Sequence, residues 1–218
     1  MNVSVDPEVL EDIVSFGRQM LRDGLVLGTS GNISVRLDDC VAITPSSVPY
    51  PDITAADVVI LDEAGEQVGG RGRPSAETPM HLAIYGASDA RAIVHTHSPV
   101  AVAMSSVLDE LPAIHYAIHA FGGYTVRVAD YERFGSQDLA AATRRALDGR
   151  RGALLRNHGT VVYGNSLSEA YDRALLLEWL ATVYRDAKQL GEPNILTPDE
   201  LEQVAAEARR RRYGEVNA

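Results

Sequence analysis

The chain carries at residues 92–98 the stretch Ala-Ile-Val-His-Thr-His-Ser. An apolar run that leads into His-x-His is typical of a buried β-strand, and side chains two positions apart on a strand point to one face. His95 and His97 would therefore lie side by side, either as two metal ligands or as two hydrogen-bonded core residues. A third histidine, His158, follows another apolar run. Three imidazoles with one open coordination position are typical of a catalytic zinc site.

The rest of the chain indicates one α/β domain of 218 residues. Amphipathic patterns and capping boxes predict five or six helices, the longest from Ser166 to about Leu190 and the last from Thr197 to Tyr213. Short apolar or alternating runs predict about nine strands, and Ala113–Tyr116 is one of them. Helices and strands follow in mixed order, which favours a sheet layered with helices over a strict βαβ repeat.

Composition limits the classes of partner. The formal net charge is −10 at pH 7, which argues against nucleic acid because that partner requires a basic face. No run of about 18 apolar residues is present, so we expect no membrane partner. The N-terminal residues lack a signal-peptide pattern, and the single cysteine, Cys40, excludes an internal disulfide. We therefore expect a cytoplasmic protein.

Three short segments are rich in small and hydroxyl-bearing residues. Residues 28–32 read Gly-Thr-Ser-Gly-Asn, and successive N–H groups in such a loop can form an anion-binding nest, although a plain turn has the same composition. Residues 44–50, Thr-Pro-Ser-Ser-Val-Pro-Tyr, place hydroxyls after a strand, and residues 73–77, Arg-Pro-Ser-Ala-Glu, place a hydroxyl and a carboxylate at a helix start. Each could also be only a turn or a cap, but together they favour a ligand site beside the histidines.

This ordered set of motifs resembles the class II aldolase/adducin family. The resemblance covers nearly the whole chain, and segment 111–116 with the following Gly122-Gly123 strengthens the branch that acts on L-fuculose 1-phosphate. It rests on Gly-Thr-Ser-Gly-Asn-Ile-Ser-Val-Arg (28–36), Ile-Thr-Pro-Ser-Ser-Val-Pro-Tyr (43–50), Pro-Ser-Ala-Glu (74–77), His-Thr-His-Ser (95–98) and Asn-His-Gly (157–159).

The resemblance implies a single three-layer α/β/α domain over residues 1–218, with a mixed sheet of about nine strands. It implies a Zn²⁺-dependent aldolase that cleaves a ketose 1-phosphate, such as L-fuculose 1-phosphate, to dihydroxyacetone phosphate and an aldehyde; Co²⁺ or Mn²⁺ could replace zinc. The implied metal ligands are His95, His97, His158 and, in the resting state, Glu77, which would also move the proton at carbon. The implied phosphate and substrate site contains Thr29, Ser30, Asn32, Ser46, Ser47 and Ser75.

The same resemblance implies a homotetramer whose active sites lie at subunit interfaces. Tyr116 would reach into the neighbouring subunit's site, although by its residue type alone it reads as a half-buried aromatic. Phe134 and Tyr213 would close over the substrate, the latter from a mobile C-terminal tail at about residues 213–218. His81, one helical turn past Glu77, could contact a metal ligand, but a packing histidine is the preferred interpretation.

Three departures from the family pattern keep alternatives open. Ala76 replaces a usual second serine, and Ser47 replaces a frequent glycine. The segment Glu77–His81 is closer to the epimerase and decarboxylase branches, although epimerases usually carry aspartate at the Glu77 position. A decarboxylase of a phosphorylated 3-oxo sugar acid, an epimerase and a dehydratase therefore stay as alternatives. A non-catalytic adducin-like interaction domain is disfavoured because that class lacks the histidines.

Overall fold

A computed structural model describes residues 5–211 of the chain as a three-layer α/β/α domain built on one nine-stranded sheet. The strand order is β4-β3-β2-β1-β5-β9-β8-β7-β6. In this part of the chain all pairings are antiparallel except that of β7 with β8, so the sheet is mixed as predicted. The predicted fold class is confirmed.

The strands of residues 5–211 are short and mostly buried. Their bounds are Asn32–Arg36 (β1), Cys40–Ile43 (β2), Val59–Asp62 (β3), Gln67–Gly69 (β4), Ala92–Thr96 (β5), Glu110–Leu111 (β6), Val126–Ala129 (β7), Gly152–Leu155 (β8) and Gly159–Gly164 (β9). β5 lies at the centre of the sheet between β1 and β9, and all five of its residues are buried.

Six α-helices flank the sheet within the described residues. Their bounds are Pro7–Arg22 (α1), Thr78–Ala87 (α2), Pro99–Val107 (α3), Gln137–Ala146 (α4), Leu167–Leu190 (α5) and Pro198–Arg210 (α6). The helix starts follow their capping residues closely. Thr197 and Glu200, for example, form the predicted reciprocal capping box at the start of α6. Within the described range, no helix has both the length and the apolar content needed to span a bilayer.

Alternation along the strands divides the core into two halves. Val94 packs in a large cluster with α1, α3 and α5, whereas its neighbour Ile93 packs on the opposite face with α2 and α4. This alternation follows from the two-residue period of a strand. It places His95, two residues after Ile93, on the same face of the sheet as α2.

The predicted strand Ala113–Tyr116 is wrong. The strand in this region is β6, Glu110–Leu111, and a 3-10 helix spans Tyr116–Phe121. The His115 ring accepts a hydrogen bond from the backbone N–H of Ala117, which caps that helix. Side-chain capping of this kind competes with strand pairing. The last helix was also predicted to reach Tyr213, but α6 ends at Arg210, and Tyr213 with the tail of residues 213–218 lies outside the described residues.

Candidate metal centre

The first two histidines lie at the end of the central strand. His95 is fully buried near the end of β5, and His97 is partly buried just beyond it. The two Nε2 atoms are 3.0 Å apart. The two-residue period of the strand therefore does bring both imidazoles to one point.

The third histidine arrives from the turn between β8 and β9. Asn157 precedes it with a φ of 53°, a left-handed conformation that asparagine tolerates better than most residues. The Asn157 N–H donates to Ser105 Oγ at 3.1 Å, which fixes the turn against α3. As a result His158 points back toward the end of β5.

The three imidazoles form a nearly symmetric cluster. Each pair of ring centroids is 4.9 Å apart, and the interplanar angles are 76°, 73° and 80°. The cluster includes Glu77, and one ligand atom from each of the four residues lies within 4.8 Å of all the others. The arrangement predicted from sequence is thus present in the structure, with Glu77 as its fourth member.

A hydrogen bond beyond the cluster sets the tautomer of His95. Its Nδ1 lies 2.7 Å from the carbonyl oxygen of Thr160, on the neighbouring strand β9. A carbonyl can only accept, so the proton is on Nδ1 and the Nε2 atom points into the cluster. Such an outer partner is the usual way in which a metal-binding histidine is oriented.

Glu77 immediately precedes α2, and its neighbours hold it there. The Ser75 hydroxyl accepts a hydrogen bond from the Glu77 N–H at 3.2 Å. Glu77 Oε2 lies 2.8 Å from His95 Nε2 and accepts a hydrogen bond from Asn32 Nδ2 at 3.0 Å. Glu77 Oε1 is buried 3.2 Å from His158 Nε2 and makes no hydrogen bond within residues 5–211.

The local charges favour an ionised Glu77 carboxylate, and this carboxylate in turn raises the pKa of His95 against the effect of burial. Burial acts to raise the pKa of Glu77, but the neighbouring His95 and His158 together hold this pKa far below its usual range. Burial, with the nearby His95 and His158, lowers the pKa of His97 to about 3. A neutral imidazole and an ionised carboxylate are the forms that ligate metals.

These residues fit a divalent metal ion. His95 Nε2 lies 2.8 Å from Glu77 Oε2. Because Nδ1 already carries a proton, this contact requires positive charge between the two atoms, which either a second proton on the imidazole or a metal ion supplies. The unpartnered Oε1 of Glu77 supplies a further free ligand atom. Three imidazole nitrogens and one carboxylate oxygen are donors that Zn²⁺ accepts. The group is therefore a divalent-metal centre.

Three members of the cluster, Glu77, His97 and His158, line a cavity of about 370 Å³, a size typical of small-molecule sites, whereas His95 is fully buried. The hydroxyl-rich segments predicted from sequence converge on the cavity wall. The cavity is lined by Thr29, Ser30, Gly31, Asn32, Pro45, Ser46, Ser47, Ser75, Ala76, Glu77, His97, Tyr131, Glu132, Phe134, Asn157 and His158. No arginine or lysine is in this set, so hydroxyls and backbone N–H groups are its donors for an anion.

The backbone of two cavity loops explains their composition. Gly31 has a φ of 73°, and a Cβ there would lie 2.7 Å from the carbonyl oxygen of His95, so only glycine lets this loop contact the histidine strand. Ser47 has a φ of 62°, in the left-handed region that favours glycine. The glycine that the family resemblance leads us to expect at this position would adopt this φ without a Cβ clash.

The hydroxyls of the cavity are not equally free. Ser30 Oγ donates to the Leu27 carbonyl at 2.8 Å and accepts from the Leu27 N–H at 3.1 Å, so it closes its own turn. The Asn32 amide contacts Glu77 and His81. Thr29 is exposed, and Ser46 Oγ lies 3.3 Å from Ser47 Oγ. The side chains of Thr29, Ser46, Ser47 and Ser75 also line the cavity, and among the described residues their hydroxyls donate to no backbone carbonyl, so they can donate to a ligand.

Phe134 lines the cavity, whereas Tyr116 does not line the cavity of its own chain. The Tyr116 side chain is half exposed and stacks on His115, with ring centroids 4.2 Å apart. Sequence reasoning missed Tyr131, Glu132 and Asn157. Only their positions in the chain could have indicated them, because Tyr131 and Glu132 follow β7 and Asn157 immediately precedes the predicted ligand His158.

Comparisons with known proteins place this chain among sugar-phosphate aldolases. A profile of the class II aldolase and adducin N-terminal domain matches residues 11–185. A 5-deoxy-D-ribulose 1-phosphate aldolase of Bacillus thuringiensis serovar kurstaki is 43% identical, with 89% of this chain and 92% of that protein covered. An L-fuculose phosphate aldolase of Escherichia coli K12 is 35% identical, with 88% and 90% covered. A solved L-fuculose 1-phosphate aldolase superposes with a TM-score of 0.89 at 35% identity, with 94% of this chain and 98% of that chain covered.

Proposed function

The chain belongs to the class II aldolase and adducin family, and we propose that it is a zinc enzyme that cleaves a ketose 1-phosphate to dihydroxyacetone phosphate and a short aldehyde. The observation that carries this proposal is the convergence of His95, His97, His158 and Glu77 beside a hydroxyl-lined cavity. A non-catalytic adducin-like interaction domain would not require these metal-ligating residues.

The metal-binding role falls to the three histidines and, in the resting state, Glu77. We favour zinc because three imidazoles with one further position are its common catalytic environment, and Co²⁺ and Mn²⁺ are the alternatives. When bound, such an ion supplies Lewis-acid stabilisation of negative charge on the substrate's oxygens. His95 contributes a preset tautomer, because its Nδ1–H is engaged by Thr160.

Glu77 is the residue that exchanges the proton at carbon. Breaking the C3–C4 bond leaves the electron pair on C3 of the triose half, and a proton must be added there. The carboxyl group that delivers it removes the same proton in the reverse condensation. Glu77 lines the cavity and is only 6% exposed, which limits the access of bulk water to its carboxylate.

The phosphate group is assigned to the hydroxyl-rich wall of the cavity. Thr29, Ser46, Ser47 and Ser75 supply hydroxyls there, and the glycine loop around Gly31 supplies backbone N–H groups. Ser30 and Asn32 support this wall from behind through their hydrogen bonds to Leu27 and Glu77. A neutral cradle of this kind binds an anion by hydrogen bonds, as nests and hydroxyl clusters do elsewhere.

The aldehyde half of the substrate would lie toward the aromatic side of the cavity. Tyr131 and Phe134 line this side and are 63% and 65% exposed. The aldehyde half of 5-deoxyribulose 1-phosphate has one hydroxyl fewer than that of L-fuculose 1-phosphate, and aromatic rings suit the less polar of the two. We therefore propose 5-deoxyribulose 1-phosphate as the preferred substrate, ahead of L-fuculose 1-phosphate, in agreement with the name of the 43% identical relative.

A second subunit completes the site in this proposal. Tyr116 of a neighbouring subunit would serve the oxygen of the departing aldehyde, within a homotetramer that places active sites at its interfaces. The exposed aromatic surface of His115, Tyr116 and Trp179 supports a contact of this kind, since Trp179 is 45% exposed. Tyr213 would close the site from the C-terminal tail, as the family resemblance implies.

A panel of substrates tests the proposal. Purified zinc-loaded enzyme is given 5-deoxyribulose 1-phosphate, L-fuculose 1-phosphate and a phosphorylated 3-oxo sugar acid, and triose phosphate is measured with a coupled assay. We expect the highest kcat/KM with 5-deoxyribulose 1-phosphate. Release of carbon dioxide from the 3-oxo acid without triose phosphate from either ketose would instead identify the decarboxylase, and no triose phosphate from any ketose would refute the proposal.

A further inference from the structure

A row of buried polar side chains continues from Glu77 into the interior between β1 and α2. Asn32 and Ser34 lie two residues apart on β1, and Glu77, His81 and Tyr85 lie at four-residue spacing at the start of α2 and along it. Side chains two residues apart on a strand are separated by about 6.6 Å along its axis, and side chains four residues apart on a helix by about 6.0 Å. Because these spacings nearly match, successive residues of the two rows can contact each other when the helix packs on the strand. Each of these five residues is at most 6% exposed.

The five side chains form one continuous chain of hydrogen bonds. Asn32 Nδ2 is 3.0 Å from Glu77 Oε2, and Asn32 Oδ1 is 2.5 Å from His81 Nε2. His81 Nδ1 is 2.7 Å from Ser34 Oγ, which in turn is 2.8 Å from the Tyr85 hydroxyl. We call this series the Glu77–Tyr85 chain.

The charge on Glu77 fixes the direction of every bond in the Glu77–Tyr85 chain. A carboxylate can only accept, so the Asn32 NH₂ group faces it and the Asn32 oxygen faces His81. That oxygen requires a proton on His81 Nε2, which leaves Nδ1 as an acceptor for the Ser34 hydroxyl. Ser34 then accepts from Tyr85. Burial, with the neighbouring His95, lowers the pKa of His81 to about 3, which agrees with the neutral ring that this assignment needs.

The outer end of the Glu77–Tyr85 chain is anchored by Arg36. Its guanidinium carbon lies 4.5 Å from the centroid of the Tyr85 ring, and the guanidinium also donates to the Tyr85 carbonyl. Arg36 is two residues beyond Ser34 on β1, so it continues the same row. The phenol of Tyr85 is therefore held in place where the chain of donors begins.

We propose that His81 is a positioning residue for the proton transfer by Glu77, because its Nε2–H holds the Asn32 amide with the nitrogen toward the carboxylate. The two orientations of an asparagine amide have nearly the same shape, and only their partners select one. If the amide turned over, its oxygen would face Glu77 Oε2 and repel it. Glu77 would then leave the place from which it reaches both the histidine cluster and the substrate carbon.

This inference rests on the proposed aldolase function, and a pair of His81 variants tests it. His81→Gln keeps an N–H near the position of Nε2, whereas His81→Phe keeps the volume and removes both nitrogens. Each variant is assayed for cleavage of 5-deoxyribulose 1-phosphate and for exchange of the C3 proton of dihydroxyacetone phosphate with deuterium. We expect His81→Phe to lower kcat and the exchange rate about 10- to 100-fold with KM within about 3-fold. His81→Gln should recover most of this loss.

Two further measurements separate positioning from a general packing defect. Metal content and the melting temperature are determined for both His81 variants. Tyr171→Phe is the matched control for Tyr85→Phe, because Tyr171 is also a buried tyrosine but its hydroxyl donates to Asp23, which is not part of the Glu77–Tyr85 chain. Tyr85→Phe should lower kcat by about 2- to 5-fold through the loss of one outer hydrogen bond, whereas Tyr171→Phe should leave kcat unchanged. Equal kcat in wild type and His81→Phe, or a loss in His81→Phe that His81→Gln does not recover, would overturn the inference.

The ring of His81 also gives a readout that does not depend on turnover. In ¹⁵N-histidine-labelled protein with zinc bound, the His81 resonances should show a neutral ring protonated at Nε2 alone. A ring protonated at Nδ1, or at both nitrogens, would overturn the inference even if the enzyme is active. Inactivity of the wild type toward all ketose 1-phosphates would refute the proposed function instead, and the ¹⁵N spectrum would still decide the direction of the Glu77–Tyr85 chain.

Discussion

The hydroxyl oxygen of Ser75 accepts a hydrogen bond from the backbone N–H of Glu77 at 3.2 Å. Ser75 is also part of the cavity wall that we assign to the substrate's phosphate. One side chain thus contacts both the phosphate subsite and the backbone that carries the proton-transferring carboxylate. In addition, Ser75 contributes its carbonyl oxygen as the acceptor for the Thr78 hydroxyl at 2.7 Å, which fixes the start of α2.

Ser75→Ala should therefore affect both steps of the reaction. Loss of one hydrogen bond of about 0.5–1.5 kcal/mol to the phosphate should raise KM by roughly 2- to 10-fold. Loss of the bond to the Glu77 N–H should also lower kcat by several-fold. Thr29→Ala is the matched control, because Thr29 lines the same wall without contacting Glu77, and it should raise KM alone. Steady-state kinetics of both variants would show whether the two effects separate in this way.

Removal of one imidazole should abolish metal binding. Wild-type protein should contain one divalent ion per chain by plasma mass spectrometry, and added zinc should raise its melting temperature, since an ion at 100 times its dissociation constant stabilises the fold by about 2.7 kcal/mol. His95→Ala should lose the ion, this stabilisation and the aldolase activity together. The exposed His119 provides the control, because His119→Ala should behave as wild type. Full metal occupancy in His95→Ala would contradict the site.

Glu77→Gln should separate metal binding from proton transfer. The amide keeps the shape of the carboxylate but cannot carry the proton, so kcat should fall about 10²- to 10⁴-fold. The three histidines remain, and zinc should still bind, although more weakly. Deuterium exchange at C3 of dihydroxyacetone phosphate should fall in parallel with kcat. If exchange persists at the wild-type rate, another residue moves this proton.

Ser47→Gly should stabilise the protein slightly. A non-glycine residue in the left-handed region costs about 1–2 kcal/mol, whereas glycine adds an entropy cost of about 0.5–1 kcal/mol. We expect a net gain of about 0.5–1 kcal/mol and a rise in melting temperature of about 1–4 °C. Asn157→Gly is the comparison, because asparagine already tolerates its φ of 53° and the gain should be smaller. A clear destabilisation by Ser47→Gly would show that the Ser47 hydroxyl holds its loop.

Sharing of the site between subunits can be tested with mixed oligomers. Tyr116→Phe removes only the hydroxyl and should lower kcat at least about 10-fold, with metal content unchanged. Mixing Tyr116→Phe protein with Glu77→Gln protein under conditions of subunit exchange should give more activity than the sum of the two separate proteins, because some interfaces then combine both wild-type residues. Light scattering reports the oligomeric state of the same samples. No activity above that sum, despite demonstrated exchange, would assign Tyr116 to its own chain.

Local sequence was sufficient to predict those features that depend only on residues a few positions apart. The two-residue alternation of β5 predicted the pairing of His95 with His97, and the capping box at Thr197 predicted the start of α6. Local sequence was insufficient at Ala113–Tyr116, where the pattern resembled a strand. There the His115 ring caps a 3-10 helix and the Ala113 carbonyl accepts from Leu196 N–H, a partner 83 positions away.

The histidines, the carboxylate and the hydroxyl-rich loops can all be read from the amino-acid sequence, but only the fold brings the members of the metal site together. Glu77 and His158 join His95 because α2 begins beside β5 and because β5 pairs with β9, a register that no local periodicity encodes. His81 shows the same division most clearly. From the sequence, a packing role was the preferred interpretation of His81. In the fold, the similar spacing of side chains along β1 and α2 brings His81 into hydrogen bonds with Asn32 and Ser34, and so into the chain that orients Glu77.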